Sequence, residues 1–199
     1  MSPRQLTPLP TTAKPTSQQL TTPPIQTFPH RQLKLYWEEG YNWQEEYFER
    51  KWCMMFDYDG YPGTGRCWYG TEIRPCNPDQ VYVAKCGTDP RQRFDLELLP
   101  PNDENEELFM IRIPSKGSCL ELDDRAVFIR PCNPLNYLQH WKTINGNLSG
   151  RRFEMVPVSR TSHCITQAHH PKPGEVVETY RCTIARSPTH LTSFWNLYG

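Results

Sequence analysis

The sequence predicts an all-β domain stapled by disulfides and led by a Pro/Thr-rich tail, and three observations carry that expectation. From Leu33 onward the chain runs in short alternating or β-branched and aromatic stretches separated by Gly, Pro and Asn-Gly, the pattern of strands and tight turns. Eight cysteines are spread through this polar, aromatic-rich region, as in domains that fold in oxidising compartments. A unit of four such strands then recurs three times, and a repeat of this kind sets an architecture before local detail does.

Residues 1–32 hold seven Pro and seven Thr and no acidic residue. That composition buries too little apolar surface to offset ordering entropy, so the segment is expected to be a disordered stalk or linker. A transit peptide is the other reading of an acid-poor, hydroxyl-rich leader. Met1 to His30 contains no apolar run of about 7–15 residues, so no signal peptide is visible. A fragment with its signal upstream, a misassigned start and an unusual export route all fit.

Strands are then expected in order at Leu33–Trp37, Trp43–Phe48, Trp52–Phe56, Val81–Ala84, Phe94–Leu98, Leu108–Ile113 and Cys119–Leu122. The series continues with Val127–Ile129, Leu138–Ile144, Phe153–Val158, Cys164–Gln167, Val176–Tyr180 and Thr192–Leu197. Helix signals are weak. Glu38 to Arg50 is broken by Gly40 and fits neither the helical nor the strand period.

Composition excludes several classes. With 22 Lys+Arg against 22 Asp+Glu the net charge is zero, so no field draws the chain to nucleic acid. No run of about 18 apolar residues is present to span a membrane as a helix. Twenty prolines in 199 residues and a mean hydropathy of −0.73 argue against a helical bundle. The cysteines include no C-x2-C pair, the spacing most structural zinc sites use. His163, Cys164, His169 and His170 combine zinc-like ligand types. Adjacent side chains on a strand nevertheless point to opposite faces, so no metal and no cofactor is expected. Hydrolase, zincin, P-loop and dinucleotide motifs are absent, so an enzyme is not expected.

The repeat is legible at named positions. Phe109–Ile113, Cys119-Leu-Glu-Leu122, Val127–Cys132 and Leu138-Gln-His-Trp141 are followed in the same order by Phe153–Val156, Cys164-Ile-Thr-Gln167, Val177–Cys182 and Thr192-Ser-Phe-Trp195. A looser copy holds Trp52-Cys53-Met54, Val81–Cys86 and Arg91–Phe94. The second cysteines, 86, 132 and 182, are 46 and 50 residues apart, and the closing aromatics, 94, 141 and 195, are 47 and 54 apart. An identical Arg-Pro-Cys-Asn-Pro at 74–78 and 130–134 is out of this register and is read as shared turn chemistry.

Three units of this form, each with Cys-hydrophobic-x-hydrophobic, a second Cys and a Gln-x-Trp-like closer, resemble the ricin-type β-trefoil lectins over residues 33–199. Gln139-His140-Trp141 is the faithful closer; Gln92-Arg93-Phe94 and Ser193-Phe194-Trp195 each depart at one position. The resemblance implies a β-trefoil with copies at about 33–99, 106–148 and 150–199. It also implies the pairs Cys119–Cys132, Cys164–Cys182 and Cys53–Cys86, with Cys67–Cys76 stapling an inserted loop over Gly60–Pro78.

A sugar site in that family needs a carboxylate just after the first cysteine, an aromatic two residues before the second, and amides near the closer. The second copy offers Glu121, Arg130 and Gln139; the third offers Thr166 and Tyr180, with Glu178 nearby; the first offers Met55 and Ala84. No copy keeps the full set. The third is expected to be the survivor, because its long loop carries His169, His170, Lys172 and Glu175. The plain alternative makes Tyr180 an ordinary strand aromatic, Glu121 a solvated residue and Gln139 part of the core signature. Tyr36, Trp37, Tyr41, Trp43, Tyr47 and Phe48 among five glutamates are either a glycan or protein platform or core of the first copy. The sequon Asn147-Leu148-Ser149 follows a turn and is a glycosylation candidate in an exported chain.

The resemblance therefore implies a non-catalytic extracellular carbohydrate-binding module, taking glycans or glycoproteins and tethered by its tail to a wall, coat or larger protein. The competing expectation is a sugar-blind β-trefoil serving as a structural or protein-interaction element.

Overall fold

The computed structural model describes residues 26–35, 52–60, 63–150, 152–167, 173–182 and 194–198. The expected tail over 1–25, the strand Trp43–Phe48, the aromatic-acidic platform, and the loop residues His169, His170 and Lys172 lie outside them. The described residues are all-β. The strands are β1 Thr27–Leu35, β2 Trp52–Phe56, β3 Arg66–Tyr69, β4 Glu72–Pro75, β5 Val81–Lys85, β6 Phe94–Leu98 and β7 Leu108–Ile113, then β8 Ser118–Asp123, β9 Ala126–Pro131, β10 Trp141–Ile144, β11 Phe153–Pro157, β12 His163–Gln167, β13 Glu175–Arg181 and β14 Phe194–Tyr198. Short 3-10 turns lie at Pro90–Gln92, Tyr137–Gln139 and Val158–Arg160, the last two replacing ends of the strands expected at Leu138–Ile144 and Phe153–Val158.

Hydrogen bonding organises the strands into two layers. One is a closed circuit of six: β1 pairs β14 and β6, β14 pairs β11, β11 pairs β10, β10 pairs β7, and β7 pairs β6. Closure leaves no free edge in this ring. The other layer is made of three hairpin-like pairs, β2–β5, β8–β9 and β12–β13. These three meet at their tips, where Glu175 pairs with Val83, Glu178 with Ala126, and Gln80 bridges to Phe128.

The core fills the space between the layers. Phe94, Trp141 and Trp195, the three closing aromatics, are fully buried with Leu33, Phe109, Leu120, Phe153 and Ile165. The two indoles repeat one detail: Trp141 Nε1 donates to Leu120 O at 3.2 Å and Trp195 Nε1 to Ile165 O at 3.0 Å. Each acceptor follows the first cysteine of its own unit, and each bond satisfies an N–H that burial would otherwise leave costly.

Four disulfides join Cys53–Cys86, Cys67–Cys76, Cys119–Cys132 and Cys164–Cys182. Each ties the two strands of a pair or its inserted hairpin, and a bridge of this kind restricts the unfolded chain by roughly 2–4 kcal/mol.

Two elements differ from the sequence expectation. The first strand begins at Thr27, inside the segment read as tail up to residue 32. Thr27 and Phe28 pair with Glu97 and Leu96, and the register shifts at Pro29–His30 before Arg31 meets Phe94. His30 takes φ 54° at that bulge, and its N–H bonds Asp95 Oδ1 at 2.7 Å. A partner strand supplies pairing that local composition does not announce. The second difference is the hairpin β3–β4, which fills the segment read as an inserted loop. It turns at Gly70 with φ 67°, and Trp68 pairs in parallel with Glu175 of β13. Both strands are short and β4 is wholly exposed, so no hydrophobic alternation marks them in the sequence.

Candidate functional site

In the second unit the expected site residues come together. β8 carries Glu121 half-exposed between the buried Leu120 and Leu122. Facing it is the loop after Cys132, which the Asn and Gln side chains organise by bonding their own backbone. Asn133 Oδ1 accepts from Leu135 N at 3.1 Å, and Asn133 O from Asn136 N at 2.9 Å. Asn136 Oδ1 caps the 3-10 turn by accepting from Leu138 N at 3.1 Å, and the His140 ring nitrogen Nε2 bonds Pro134 O at 2.8 Å.

Gln139, 1% exposed, closes this loop onto β8. Its Oε1 accepts from Asn133 N at 2.8 Å, and its Nε2 donates to Pro131 O at 2.9 Å and to Glu121 Oε2 at 2.8 Å. Asn136 Nδ2 donates to the same Glu121 oxygen at 2.8 Å. Two amides therefore hold one carboxylate oxygen, and Oε1 has no partner among the described residues. Sequence reasoning missed Asn136 and the exposed Leu135 and Tyr137 beside it; the signal was available only as an Asn-rich loop. Arg130, at the position where a stacking aromatic was sought, lies 4.9 Å from the Phe128 ring and 3.6 Å from Asp79.

The first unit builds the same frame without a carboxylate. Gln92 Oε1 accepts from Gly87 N, and Nε2 donates to Lys85 O and approaches Met55 Sδ at 3.9 Å. Gln32 of β1 adds Nε2 to Gln92 Oε1 and to Gly87 O.

The third unit places Thr166, 2% exposed, opposite Glu178 across the β12–β13 pair. Tyr180 is half-buried, with the Arg125 guanidinium 6.0 Å from its ring centre. Burial, then the neighbouring Glu178, holds the Tyr180 phenol above its ordinary range. Thr179 N and Oγ1 both bond Arg125 O, which ties the β8–β9 turn over this strand. Burial and the charges of Arg160, Arg181 and Arg125 hold the His163 imidazole below its usual value. Glu175 is fully buried, so it does not line an open loop as the sequence suggested.

Among the described residues no group of three His, Cys, Asp or Glu is placed to hold a metal ion, and no helix is long and apolar enough to cross a membrane. Asn147 is exposed with Ser149 Oγ donating to its Oδ1 at 2.8 Å, while Leu148 between them is buried.

No protein-family model and no curated protein sequence matches the chain. Solved structures do. A mosquitocidal holotoxin is similar at 11% identity and TM-score 0.51, over 89% of this chain and 18% of that one. The cytolethal distending toxin from Actinobacillus actinomycetemcomitans is similar at 15% identity and TM-score 0.48, over 77% of this chain and 93% of that one. A Macrolepiota procera ricin B-like lectin in complex with lactose is similar at 12% identity and TM-score 0.42, over 61% of this chain and 80% of that one. The holotoxin likeness is one of fold; the other two superpose less well and support no functional assignment.

Proposed function

We propose that this chain is a non-catalytic extracellular carbohydrate-binding module on a ricin-type β-trefoil, with its sugar site in the second unit. The six-strand ring, the three hairpin pairs and the two matching indole bonds support the trefoil reading with copies near 33–99, 106–148 and 150–199. Four disulfides fit an oxidising compartment. The tail then serves as a tether to a wall, coat or larger protein, and Asn147 as a glycosylation site.

The observation that carries the function is the Glu121 cradle. One carboxylate oxygen is fixed by Gln139 and Asn136, and the other is left to accept hydroxyl hydrogens from a ligand. Tyr137, 59% exposed and next to Asn136 in the chain, supplies the ring on which a sugar C–H face stacks, in place of Arg130. A few fixed polar groups beside an aromatic surface are how small ligands are oriented. The third unit is the weaker host, because Thr166 is buried and Arg125 lies over Tyr180.

A glycan array on the full chain, with and without calcium, tests this. Binding is expected. Glu121→Gln should weaken it about tenfold or more by removing a charge-assisted acceptor, with the melting temperature nearly unchanged, and Tyr180→Ala should leave it intact. No binding to any glycan would favour a sugar-blind structural or protein-interaction element.

A further inference from the structure

The hairpin that fills the inserted segment ends in a strand open along one side. Among the described residues β4 pairs with β3 alone, at the end of the sheet, and all of its residues are exposed. The hairpin behind this edge is held firmly. Cys67–Cys76 staples it, the Tyr69 hydroxyl meets the Tyr82 hydroxyl at 2.7 Å, and Trp68 N donates to Gly174 O at 2.7 Å. A preformed edge needs little ordering when a strand joins it, and its open backbone groups are a template for that addition.

The register of the hairpin says which of those groups face out. Cys76 N donates to Gly65 O at 2.9 Å, and the ladder continues with Arg66 opposite Pro75, Cys67 opposite Arg74, Trp68 opposite Ile73 and Tyr69 opposite Glu72. Bonded and non-bonded pairs alternate in an antiparallel ladder, so Glu72 and Arg74 turn their backbone groups inward while Ile73 turns its N–H and C=O outward. Pro75 faces the same way but has no N–H to offer. Ile73 is therefore the residue of β4 that presents both a donor and an acceptor at the open edge.

The side chains around it suit a strand of the same sequence. Glu72-Ile73-Arg74 places an acid and a base on either side of an aliphatic residue. Laid antiparallel against itself at Ile73, this strand sets Glu72 of each copy opposite Arg74 of the other, at non-bonded pairs where side chains stand closest. Within one chain the same two charges bond each other while 61% and 62% exposed, a surface contact of little worth alone. Ile73 is 50% exposed and stands opposite the half-buried Trp68 of β3. Self-pairing extends that contact into an apolar row of Trp68, Ile73 and their counterparts. A two-fold axis at Ile73 thus serves the backbone groups, the charges and the apolar side chains together, as an isologous interface requires.

We propose that β4 is a self-association edge at which two copies of this chain join antiparallel about Ile73, making one sheet continuous across the dimer. The proposal is independent of the carbohydrate reading. Because the strand is short, the dimer is weak, with a dissociation constant on the order of 100 μM. Sedimentation velocity of the full chain from about 1 μM to about 1 mM tests it, and the monomer should give way to dimer across that range. Glu72→Arg and Arg74→Glu should each weaken dimerisation about tenfold or more, since each sets like charges opposite one another at two symmetric places. Both positions are exposed, so the melting temperature should stay nearly unchanged. Mixing the two variants should restore association, because every reversed charge then meets its opposite. A chain that stays monomeric at the top of the range overturns the proposal and leaves the edge to a strand from another protein. Dimers that persist in both single variants, or a mixture that stays monomeric, overturn it as well.

Discussion

Gln92 and Gln139 sit in frames that match bond for bond. Each carbonyl oxygen accepts from the backbone N–H just after the second cysteine of its unit, and each amide donates to the carbonyl just before it. The frames differ at the residue two places after the first cysteine, Met55 in one and Glu121 in the other. In the first unit the strand β1 also sends Gln32 Nε2 onto Gln92 Oε1 and Gly87 O, whereas in the second the corresponding Asn133 O accepts from Asn136 N of its own loop. The comparison separates two roles that a motif merges. The glutamine ties a loop to a strand in both units, and the side chain beside it decides whether that place presents a carboxylate.

The largest expected effect probes what the units share beneath this difference. Trp141→Ala should cost roughly 3–5 kcal/mol in denaturant unfolding, because it empties a fully buried site and orphans the Leu120 carbonyl. A loss under about 0.5 kcal/mol would mean that the residue is not core. Next in size are the two glutamines. Gln92→Ala and Gln139→Ala should each cost about 1–3 kcal/mol, since each leaves a backbone N–H and C=O without its partner. The two losses should agree closely, while Gln139→Ala alone weakens glycan binding; unequal losses would break the equivalence of the frames.

The smallest effect concerns an ion pair at the first unit's 3-10 turn. Hydrogen bonds from Arg91 hold the Asp89 carboxyl below its usual range. The folded value lies under the unfolded one, so the pair stabilises at pH above the ordinary carboxylate range, near 4, and that contribution fades as pH falls through the folded value. Arg91→Ala should therefore show a stability deficit that is flat across neutral pH and narrows in acid, and a deficit independent of pH would remove the charge from the explanation. Lys142 does the same to Glu106 in the second unit, with the same sign expected.

Much of the fold was legible because its sequence signals recur. Strand alternation, the spacing of the cysteines and the closing aromatics are periodic signals, and they led to an all-β domain and, through the family resemblance, to the four disulfide pairs found. The β3–β4 hairpin was not legible, since Glu72 to Pro75 is exposed throughout and carries no alternation. Half of the candidate site was. Glu121 and Gln139 stand at motif positions, but Asn136 and Tyr137 belong to a loop whose shape is set by its own side-chain bonds.

By itself, then, the sequence determined the chain's all-β class and showed the recurrence of its cysteines and closing aromatics, because burial and pairing act on patterns that recur every few residues. Tertiary structure decided where β1 begins, that Arg125 lies over Tyr180, that Gln32 bonds Gln92, and that two amides meet on one oxygen of Glu121. These are contacts between residues as many as 70 positions apart in the chain, and no local pattern encodes which side chain a distant strand will bring to rest against another.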